Sequence, residues 1–392
     1  MEHIMNYDAD VGVVGLGAMG TMAAWRLARR GVSVLGWDRL APGHDQSACG
    51  GESRIFRTAY KEGPAYVPLL IKSQALWREL ETETNTGLLN LIGALSIASE
   101  DSDYMQNIIA SCRDFEIDHE LLSARQVKER YPVHDLEAGE MAVLDNWAGY
   151  IQPARATMTA ARRAEALGAR LHRYTPIRDI QFGADGATVY SDTQEWHVRK
   201  LVLTLGPWTR HLLPATAENH KLVRIVLAWY RTENEALFRP DLFPVLLRLT
   251  RDLDICAWPI IDGDTMKIAR NGSHGIFEDA SKLDRNVDPS WMVRWRRMIK
   301  QYLPGVIPDP VRIGAYMDSW TESGNAVVDT HPDCDNLVTL YGFSGHGFKL
   351  SPIFGELAAR LALEEKPEFE MSIFKSPKLG PFGAIPCHGI AP

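Results

Sequence analysis

The sequence predicts a mixed α/β protein with about two domains. The chain has 392 residues, which is more than one compact core normally holds. Near the N-terminus, a strand pattern, a glycine-rich turn, a helix pattern and a second strand pattern follow one another directly. Further along, helix and strand patterns are intermixed, which is typical of proteins that combine helices with sheets in each domain.

Composition excludes several classes of protein. The chain carries 42 Lys and Arg against 50 Asp and Glu, a formal net charge of -8. This acidic balance argues against nucleic-acid binding, which normally needs a basic face. No apolar run reaches the roughly 18 residues of a membrane span, and the N-terminal segment lacks the apolar core of a signal peptide.

The cysteines indicate neither a metal site nor a disulfide framework. They are five in number and widely scattered, at Cys49, Cys112, Cys256, Cys334 and Cys387. None has the CxxC spacing of a zinc ligand pair, and an odd count does not suit a set of disulfides. We therefore expect free thiols, no bound metal and a reducing cytoplasmic location.

The N-terminal pattern predicts a dinucleotide-binding unit. A strand at 11–14, the turn Gly15-Leu16-Gly17-Ala18-Met19-Gly20, a helix at 21–30 and a strand at 32–37 precede Asp38. The first glycine permits a tight turn, the second lets the backbone approach a pyrophosphate, and the third lets the helix pack on the strand. The Asp38 carboxylate is suited to accept hydrogen bonds from a ribose. This pattern alone does not separate NAD from FAD.

The remaining elements alternate between helix and strand. Helix patterns occur at 65–84, 101–114, 123–131, 154–167, 289–302 and 352–363, and strand patterns at 170–172, 177–182, 188–191, 200–205 and 336–341. The strand that ends before Gly206 suggests a return of the chain to the first sheet. Residues 221–320 alternate as a second sheet does, and the tail after Pro377 is expected to be irregular.

Five segments together resemble a known family. They are GLGAMG at 15–20, GESRIFRTAY at 51–60, YVP at 66–68, LGPW at 205–208 and GFSGHGFK at 342–349. In these segments the chain is similar to the monomeric sarcosine oxidase and N-methyltryptophan oxidase family. That family is part of the glycine oxidase and D-amino-acid oxidase group of FAD enzymes. The resemblance runs from about residue 9 to about residue 376.

The resemblance implies a fold and an activity. An FAD-binding Rossmann-like domain would take residues 1–85, 150–220 and 320–392, interleaved with a substrate domain of 86–149 and 221–319 on a mixed or antiparallel sheet. The implied reaction oxidises a secondary amine, either an N-substituted or a cyclic amino acid, to an imine. Oxygen would be reduced to hydrogen peroxide. A monomer is expected, with a dimer as the alternative.

The resemblance also assigns the residues that would carry the chemistry. Arg57 and Lys349 would hold the substrate carboxylate, Arg54 would lie near the flavin ring, and Lys267 would activate oxygen. A fork-shaped guanidinium and a second cation suit a carboxylate in a dry pocket. The alternatives are a loop-capping Arg57, a solvated Lys349, an Arg54 paired with Glu52, and a Lys267 that reaches the surface.

A larger set would bind FAD. Its members are Gly15, Gly17, Gly20, Asp38, Arg39, Ser53, Arg54, Gly206, Gly342, Gly345, His346, Gly347, Phe348 and Lys349. The glycines of the segment from 342 to 347 are expected to let the backbone approach the ring closely. For the His346 side chain, a purely structural role stays open.

The chain departs from the family pattern at several positions. The cysteine that links FAD covalently in many members matches Ala315 here, so we expect dissociable FAD. A family histidine matches Gly50. Three substrate-pocket positions read Cys256, Asn271 and Met317, which predicts a roomier, less basic pocket and a substrate larger than sarcosine.

Several alternatives remain open at this point. An alternative role for Asp318 or Glu322 is to orient the amine, although exposed acids are usually solvated. A glycated (fructosyl) amino acid is an alternative substrate. A flavin dehydrogenase that passes electrons to a carrier, an NAD enzyme and a non-catalytic flavoprotein are the alternative activities.

Overall fold

The computed structural model describes residues 7–183, 185–250, 253–288 and 290–377. The tail that was expected to be irregular lies outside these residues. The helices are α1 (Ala18–Arg29), α2 (Val67–Thr84), α3 (Asp103–Asp114), α4 (Ala124–Arg130), α5 (Pro153–Ala166), α6 (Thr209–Leu212), α7 (Ser290–Tyr302) and α8 (Ser351–Ala362). None of the helices in the described part of the chain has the length and apolarity needed to cross a bilayer.

The strands fall into three groups along the chain. The first group is β1 (Ala9–Val14), β2 (Val34–Trp37), β3 (Arg54–Phe56), β4 (Leu89–Leu91), β5 (Ala94–Ser99), β6 (His119–Leu122), β7 (Glu140–Asp145) and β8 (Gly149–Ile151). The second is β9 (Arg170–His172), β10 (Asp179–Gly183), β11 (Gly186–Tyr190) and β12 (Glu195–Leu203). The third is β13 (His220–Tyr230), β14 (Val245–Leu249), β15 (Asp254–Trp258), β16 (Met266–Arg270), β17 (Ile276–Phe277), β18 (Arg312–Thr321), β19 (Val327–His331) and β20 (Cys334–Tyr341).

The first sheet contains the N-terminal βαβ unit. Its order is β10-β11-β12-β1-β2-β9, with β20 paired to both β12 and β19. Strand β1 runs parallel to both of its neighbours, and β12 runs parallel to β20. Both faces of β1 are buried, because Val13 joins the core that contains α1 and α8 while Val14 joins the core on the other side. This burial explains the continuous apolar run of β1.

Helices α1 and α8 are joined by a buried ion cluster. Gly355 of α8 allows this close packing, since a Cβ there would lie 2.6 Å from backbone atoms of Met22. The carboxylate of Glu356 accepts hydrogen bonds from Arg26 Nε at 2.6 Å and Arg360 Nε at 2.8 Å, and also from Arg30. Burial alone would raise the pKa of Glu356, but Arg30 and Arg26 lower it to about 2.

The second sheet has nine strands. Its order is β17-β13-β16-β15-β14-β5-β7-β6, with β18 paired to β13. Its pairs are antiparallel except for β5 with β14, so it is the mixed sheet that the resemblance implied. A small third sheet, β3-β8-β4, completes the fold.

Side chains of the second sheet alternate between two faces. Ile255 and Ile268 join the core that α4 and α7 cover. Cys256, Trp258 and Ala269 belong to the opposite face, which we call the cavity face.

The sheets use interleaved parts of the chain. The first sheet takes its strands from residues 9–37, 170–203 and 327–341, and the second from 94–145 and 220–321. This distribution supports the interleaved domains proposed from the resemblance, whose boundaries stay a prediction. The helix ends differ from the expected ones by up to three residues. The largest difference is at α1, which begins at Ala18, not Thr21, because the helix starts inside the glycine motif.

Candidate active site

A cavity of about 840 Å³ lies between the first sheet and the cavity face of the second. Its wall includes the glycine motif, parts of β15, β16 and β18, and residues 343–349. The volume is typical of a site for a small molecule or cofactor.

The glycine motif forms one end of this cavity. Gly15 has φ +93°, and a Cβ there would lie 2.6 Å from the carbonyl oxygen of Thr204. A Cβ on Gly20 would lie 1.8 Å from the carbonyl oxygen of Gly15, so only glycine lets the helix approach the strand. Gly17 has no atom within 4 Å of an added Cβ, and it borders the cavity. Gly17 therefore leaves room for a ligand, whereas the other two glycines are needed for packing.

The groups around this motif fit the phosphates and ribose of FAD. Helix α1 begins beside Gly17 with no side-chain cap, so its first N–H groups are available to an anion. The Asp38 carboxylate borders the cavity and accepts hydrogen bonds from Leu16 N at 2.7 Å and Leu40 N at 2.8 Å. These bonds fix its orientation and leave lone pairs for ribose hydroxyls.

Arg39 and Gly206 also border this end of the cavity. The Arg39 guanidinium lies 4.8 Å from the ring centroid of Trp208, a cation–π contact that holds it at the cavity wall. Gly206 has φ +54°, and an added Cβ would meet no atom within 4 Å.

Arg57 and Lys349 lie together at another part of the cavity. Both are buried, at 6% exposure each. Their cationic groups lie over the same ring, because the distances to the Tyr60 centroid are 5.1 Å for Arg57 and 5.2 Å for Lys349. Lys349 Nζ also donates to Tyr60 Oη at 3.3 Å and to the His346 carbonyl at 3.1 Å. This burial rules out a solvated Lys349.

Arg57 has a carboxylate partner and a free donor. Its Nη2 lies 3.2 Å from Glu62 Oε1, while its buried Nη1 has no hydrogen-bond partner among the described residues. Burial acts to lower the pKa of Arg57, but the charge of Glu62 outweighs it and the pKa is raised. Burial and the neighbouring Arg57 lower the pKa of Lys349 to about 7. The pair is thus a cationic site with unused hydrogen-bonding capacity.

Arg54 borders the cavity and binds its own loop. It donates to the carbonyl oxygens of Ser53 at 2.9 Å, Ala48 at 3.0 Å and Gly50 at 2.7 Å. The alternative of a salt bridge to Glu52 is wrong, because Glu52 instead accepts from Arg312 at 2.5 Å and from Trp229 Nε1 at 2.8 Å.

Asp318 is the acid that faces Arg54. Both residues border the cavity, and burial lowers the pKa of Arg54 and raises that of Asp318. The Asp318 carboxylate accepts from Ser319 N at 2.8 Å and Trp320 Nε1 at 2.9 Å. It is therefore a fixed, partly buried acid, unlike the solvated acid that its residue type would suggest.

Lys267 is buried one layer behind the cavity. Its Nζ lies 3.6 Å from the Trp258 ring centroid and donates to the carbonyl oxygens of Gly51 at 3.0 Å and Ser53 at 2.5 Å. The surface alternative is wrong, since Lys267 is 3% exposed. Burial, with Arg54 nearby, lowers its pKa well below the usual range. Neither Lys267 nor Ser53 forms part of the cavity wall, and the cofactor contact expected of Ser53 stays a prediction.

The glycine-rich segment supplies residues 343–349 to the wall, but Gly342 is not among them. Gly342 has φ +69°, and its Cβ would lie 2.3 Å from Thr321 Cγ2. A Cβ on Gly347 would lie 2.4 Å from Phe343 Cβ. The need for glycine at these two positions therefore arises from packing within the chain. Gly345 and Phe348 border the cavity as expected.

The His346 ring packs against aromatic residues. Its Nε2 lies 2.9 Å from the Gly324 carbonyl oxygen, and its ring meets those of Tyr60 and Tyr66 edge-on. Burial, aided by Lys349, lowers its pKa to about 4. The ring is thus neutral near pH 7 and donates its Nε2 hydrogen to Gly324.

Three of the residues that depart from the family pattern lie together in the cavity wall. Cys256, Asn271 and Met317 all border the cavity, and Cys256 Sγ donates to Asn271 Oδ1 at 3.1 Å. Ala315 does not border it, whereas Tyr316 does. The match of Ala315 to the family cysteine, and with it the dissociable FAD, stays a prediction.

Tyr316 also explains Gly50. A Cβ on Gly50 would lie 2.6 Å from Tyr316 Cδ1. The tyrosine ring therefore fills the space beside residue 50, so this part of the cavity does not gain room.

The wall residues that the sequence analysis did not predict include Glu62, Asp254, Trp258 and Tyr316. For Asp254 and Trp258 a signal existed, because they stand two residues before and after Cys256 on one strand. Glu62 and Tyr316 had no such signal. Among the described residues, no cluster of His, Cys, Asp and Glu side chains could hold a metal ion.

Comparison with known proteins identifies the family. Residues 10–361 match the family model described as FAD dependent oxidoreductase. The chain is 30% identical over 375 residues to a monomeric sarcosine oxidase of Streptomyces avermitilis, covering 94% of this chain and 97% of that one. It is 27% identical over 371 residues to an N-methyl-L-tryptophan oxidase of Yersinia pestis, covering 94% and 98%.

A solved structure agrees with the fold. NikD, described as an unusual amino acid oxidase essential for nikkomycin biosynthesis, superposes in its open form with a TM-score of 0.82 at 23% identity, over 94% of this chain and 97% of that one. The family match spans both sheets and the whole cavity wall. The chain therefore belongs to the FAD-dependent oxidoreductase family, among the homologues of the sarcosine and N-methyltryptophan oxidases.

Proposed function

We propose that this enzyme oxidises a secondary amine, an N-substituted or cyclic amino acid larger than sarcosine, to an imine and reduces oxygen to hydrogen peroxide. The observation that carries the proposal is the buried pair of Arg57 and Lys349 around one tyrosine ring. Two cations with a free donor, in a cavity that the glycine motif also borders, suit a carboxylate held next to a cofactor.

The residues of the cavity would divide the work. Arg57 and Lys349 would bind the carboxylate and fix the amine near the reacting position. FAD, when bound along the glycine motif, would supply the two-electron oxidation of the C–N bond. The cations and the low dielectric favour loss of a proton from the amine, so no separate general base is required. The Lys267 amino group, held by Gly51 and Ser53 behind the cavity wall, would in its protonated form stabilise negative charge on reduced oxygen.

Two short side chains in the cavity wall bear on the size of the substrate. Cys256 and Asn271 are short side chains that hydrogen-bond to each other and not across the cavity. A small substrate such as sarcosine would leave part of this wall without contacts. The support for a larger amine is therefore that these two wall positions carry short side chains.

An anaerobic screen of secondary amines and amino acids tests the proposal. A substrate bleaches the flavin absorbance without oxygen, and subsequent aeration restores it with one peroxide per turnover. Bleaching by no N-substituted or cyclic amino acid would overturn the proposal. Bleaching without peroxide on aeration would indicate a dehydrogenase that uses another electron acceptor. Fructosyl amino acids belong in the screen because a deglycating oxidase would need the same carboxylate site.

A further inference from the structure

The cavity face of β15 and β16 carries three side-chain pairs in a row. Trp258 stands opposite Lys267 and Cys256 stands opposite Ala269. In the same register Asp254 stands opposite Asn271, and Asn271 N donates to the Asp254 carbonyl at 2.9 Å. Successive pairs are about 6.8 Å apart along a strand. The row thus begins at a buried cation and ends at an acid.

The acid end is ordered by hydrogen bonds. Cys256 Sγ donates to Asn271 Oδ1 at 3.1 Å, and Asn271 Nδ2 donates to Asp254 Oδ1. This chain fixes the amide and leaves Asp254 Oδ2 without a partner among the described residues. Asp254 is half-buried and borders the cavity.

Asp254 differs from the other acids of the wall. Glu62 is paired with Arg57, and Asp318 is bound by Ser319 and Trp320. Asp254 forms no ion pair with any described residue. The flanking Arg270 also borders the cavity, but it stands on the opposite side of β16 in the strand alternation and is exposed.

Cys256 connects the acid to the carboxylate site. The pKa of Cys256 is raised by burial, and it responds both to Arg57 and to Asp254. Arg57, Cys256 and Asp254 all border the same cavity, and Cys256 stands two residues from Asp254 on the same face of β15. A substrate whose carboxylate is bound at Arg57 extends toward Asp254 if its other end is long, and the end that meets this acid is favoured when it carries a positive charge.

We propose that Asp254, oriented by Asn271, selects substrates with a cationic group at the end remote from the carboxylate. The inference rests on the proposed function for the position of the carboxylate. It narrows the substrate class to basic amino acids with an N-substituent, such as those with a guanidinium or ammonium side chain.

Two ligands of equal shape provide the test, Nα-methyl-L-arginine and Nα-methyl-L-citrulline. The arginine compound carries a charged guanidinium group where the citrulline compound carries a neutral urea group. Affinity for the FAD-loaded enzyme is measured by calorimetry, and anaerobic flavin bleaching is followed in parallel. We expect the arginine compound to bind about tenfold more tightly, and Asp254→Asn to remove this preference while binding of the citrulline compound stays within about twofold.

A control variant corrects for the change in net charge. Asp264, which pairs with Arg231 at 3.2 Å outside the cavity wall, is replaced in Asp264→Asn, and the preference should persist. Asn271→Ala should weaken the preference, because the carboxylate loses its orienting amide.

The outcomes separate the inference from the proposed function. Equal binding of both ligands, weak binding of both, or a preference that survives Asp254→Asn overturns the role of Asp254. If the charged ligand binds more tightly and Asp254→Asn abolishes this difference, the role of Asp254 is supported. This holds even if neither ligand bleaches the flavin, in which case only the proposed oxidation of such amines fails.

Discussion

Arg57 Nη2 lies 3.2 Å from Glu62 Oε1 at the edge of the cavity. An incoming carboxylate must share or replace this partner, because Glu62 already neutralises one of the two cations. Glu62→Gln should therefore tighten the binding of a substrate carboxylate by about fivefold, whereas Arg57→Ala should raise KM sharply. Flavin absorbance changes give the dissociation constants that test the first effect, and initial rates give the KM that tests the second. Glu120→Gln, which removes a surface partner of Arg130, is the matched control, and unchanged or weaker binding in Glu62→Gln would contradict the competition.

The affinity for carboxylates should depend on the charge of Lys349. Its pKa is lowered to about 7 by burial and by Arg57, so the lysine is charged below pH 7 and neutral above it. A bound carboxylate favours the charged form. The dissociation constant of propionate, which has no amine of its own, should be constant below pH 7 and rise by at most tenfold per pH unit above it. Calorimetry from pH 6 to pH 9 measures this, and Lys349→Met should abolish the trend. If the dissociation constant of propionate does not change with pH in the unaltered enzyme, Lys349 does not titrate in this range.

Reaction with oxygen should depend on Lys267. Because its ammonium group is the buried cation behind Trp258, Lys267→Met should slow reoxidation of the flavin by about 100-fold. Anaerobic reduction should stay near the unaltered rate, as measured by stopped-flow absorbance. Lys221→Met, at an exposed position of β13, is the control. Because Lys267 also binds two loop carbonyls, melting temperatures must be compared. Equal reoxidation rates in a folded Lys267→Met enzyme would remove the lysine from this role.

FAD should dissociate on denaturation. Neither Ala315 nor Tyr316 offers a thiol, and the cysteines that border the cavity are Cys49 and Cys256. Burial raises the pKa of both thiols, that of Cys49 to about 11, which disfavours the reactive thiolate. After acid precipitation, the yellow colour should be in the supernatant. A yellow pellet would disprove this, and Cys49→Ser and Cys256→Ser would then identify the attachment.

His134 should limit stability in acid. It is fully buried, packs on Phe243 at 4.9 Å between ring centroids, and has no hydrogen-bond partner for either ring nitrogen among the described residues. Burial, aided by Arg248 and Lys128 and opposed by Asp135, lowers its pKa to about 3. As the pH falls, His134 is protonated in the unfolded chain before it is protonated in the folded protein. The free energy of unfolding therefore has its full value above pH 6.5 and decreases toward pH 3.

Replacement of this histidine should therefore stabilise the protein most in acid. His134→Leu should raise the free energy of unfolding by about 2 kcal/mol more at pH 5 than at pH 8. Urea unfolding at both pH values measures the difference. His197→Leu, on the surface strand β12, controls for the loss of a histidine. The same pH dependence in both variants would show that His134 does not titrate as described.

The parts of the fold and site that could be predicted are those with local signals. The βαβ unit followed from Gly15, Gly17 and Gly20, because a tight turn, a close ligand and a helix contact each require glycine at a fixed spacing. Arg57 and Lys349 were assigned by motif, and the structure brings them to one tyrosine ring although they are distant in sequence.

The unpredicted parts depend on distant packing. Tyr316 fills the space beside Gly50 only because β18 comes next to residues 45–51 in the fold, and no spacing in the sequence reports that contact. The pairing of Glu62 with Arg57 depends on the local path of a loop. Asp254 was accessible through strand alternation with Cys256, but the end of β15 could not be fixed from the sequence.

The contact of α1 with α8 has a consequence for biosynthesis. The N-terminal βαβ unit leaves the ribosome early, yet its helix packs on Gly355 and its arginines pair with Glu356, while β20 completes the sheet beside β12. Glu356 follows Arg26 by 330 residues. The nascent cofactor domain therefore stays incomplete until most of the chain has been translated. Chains that terminate before residue 334 would expose unpaired strand edges and become substrates for chaperones and proteases.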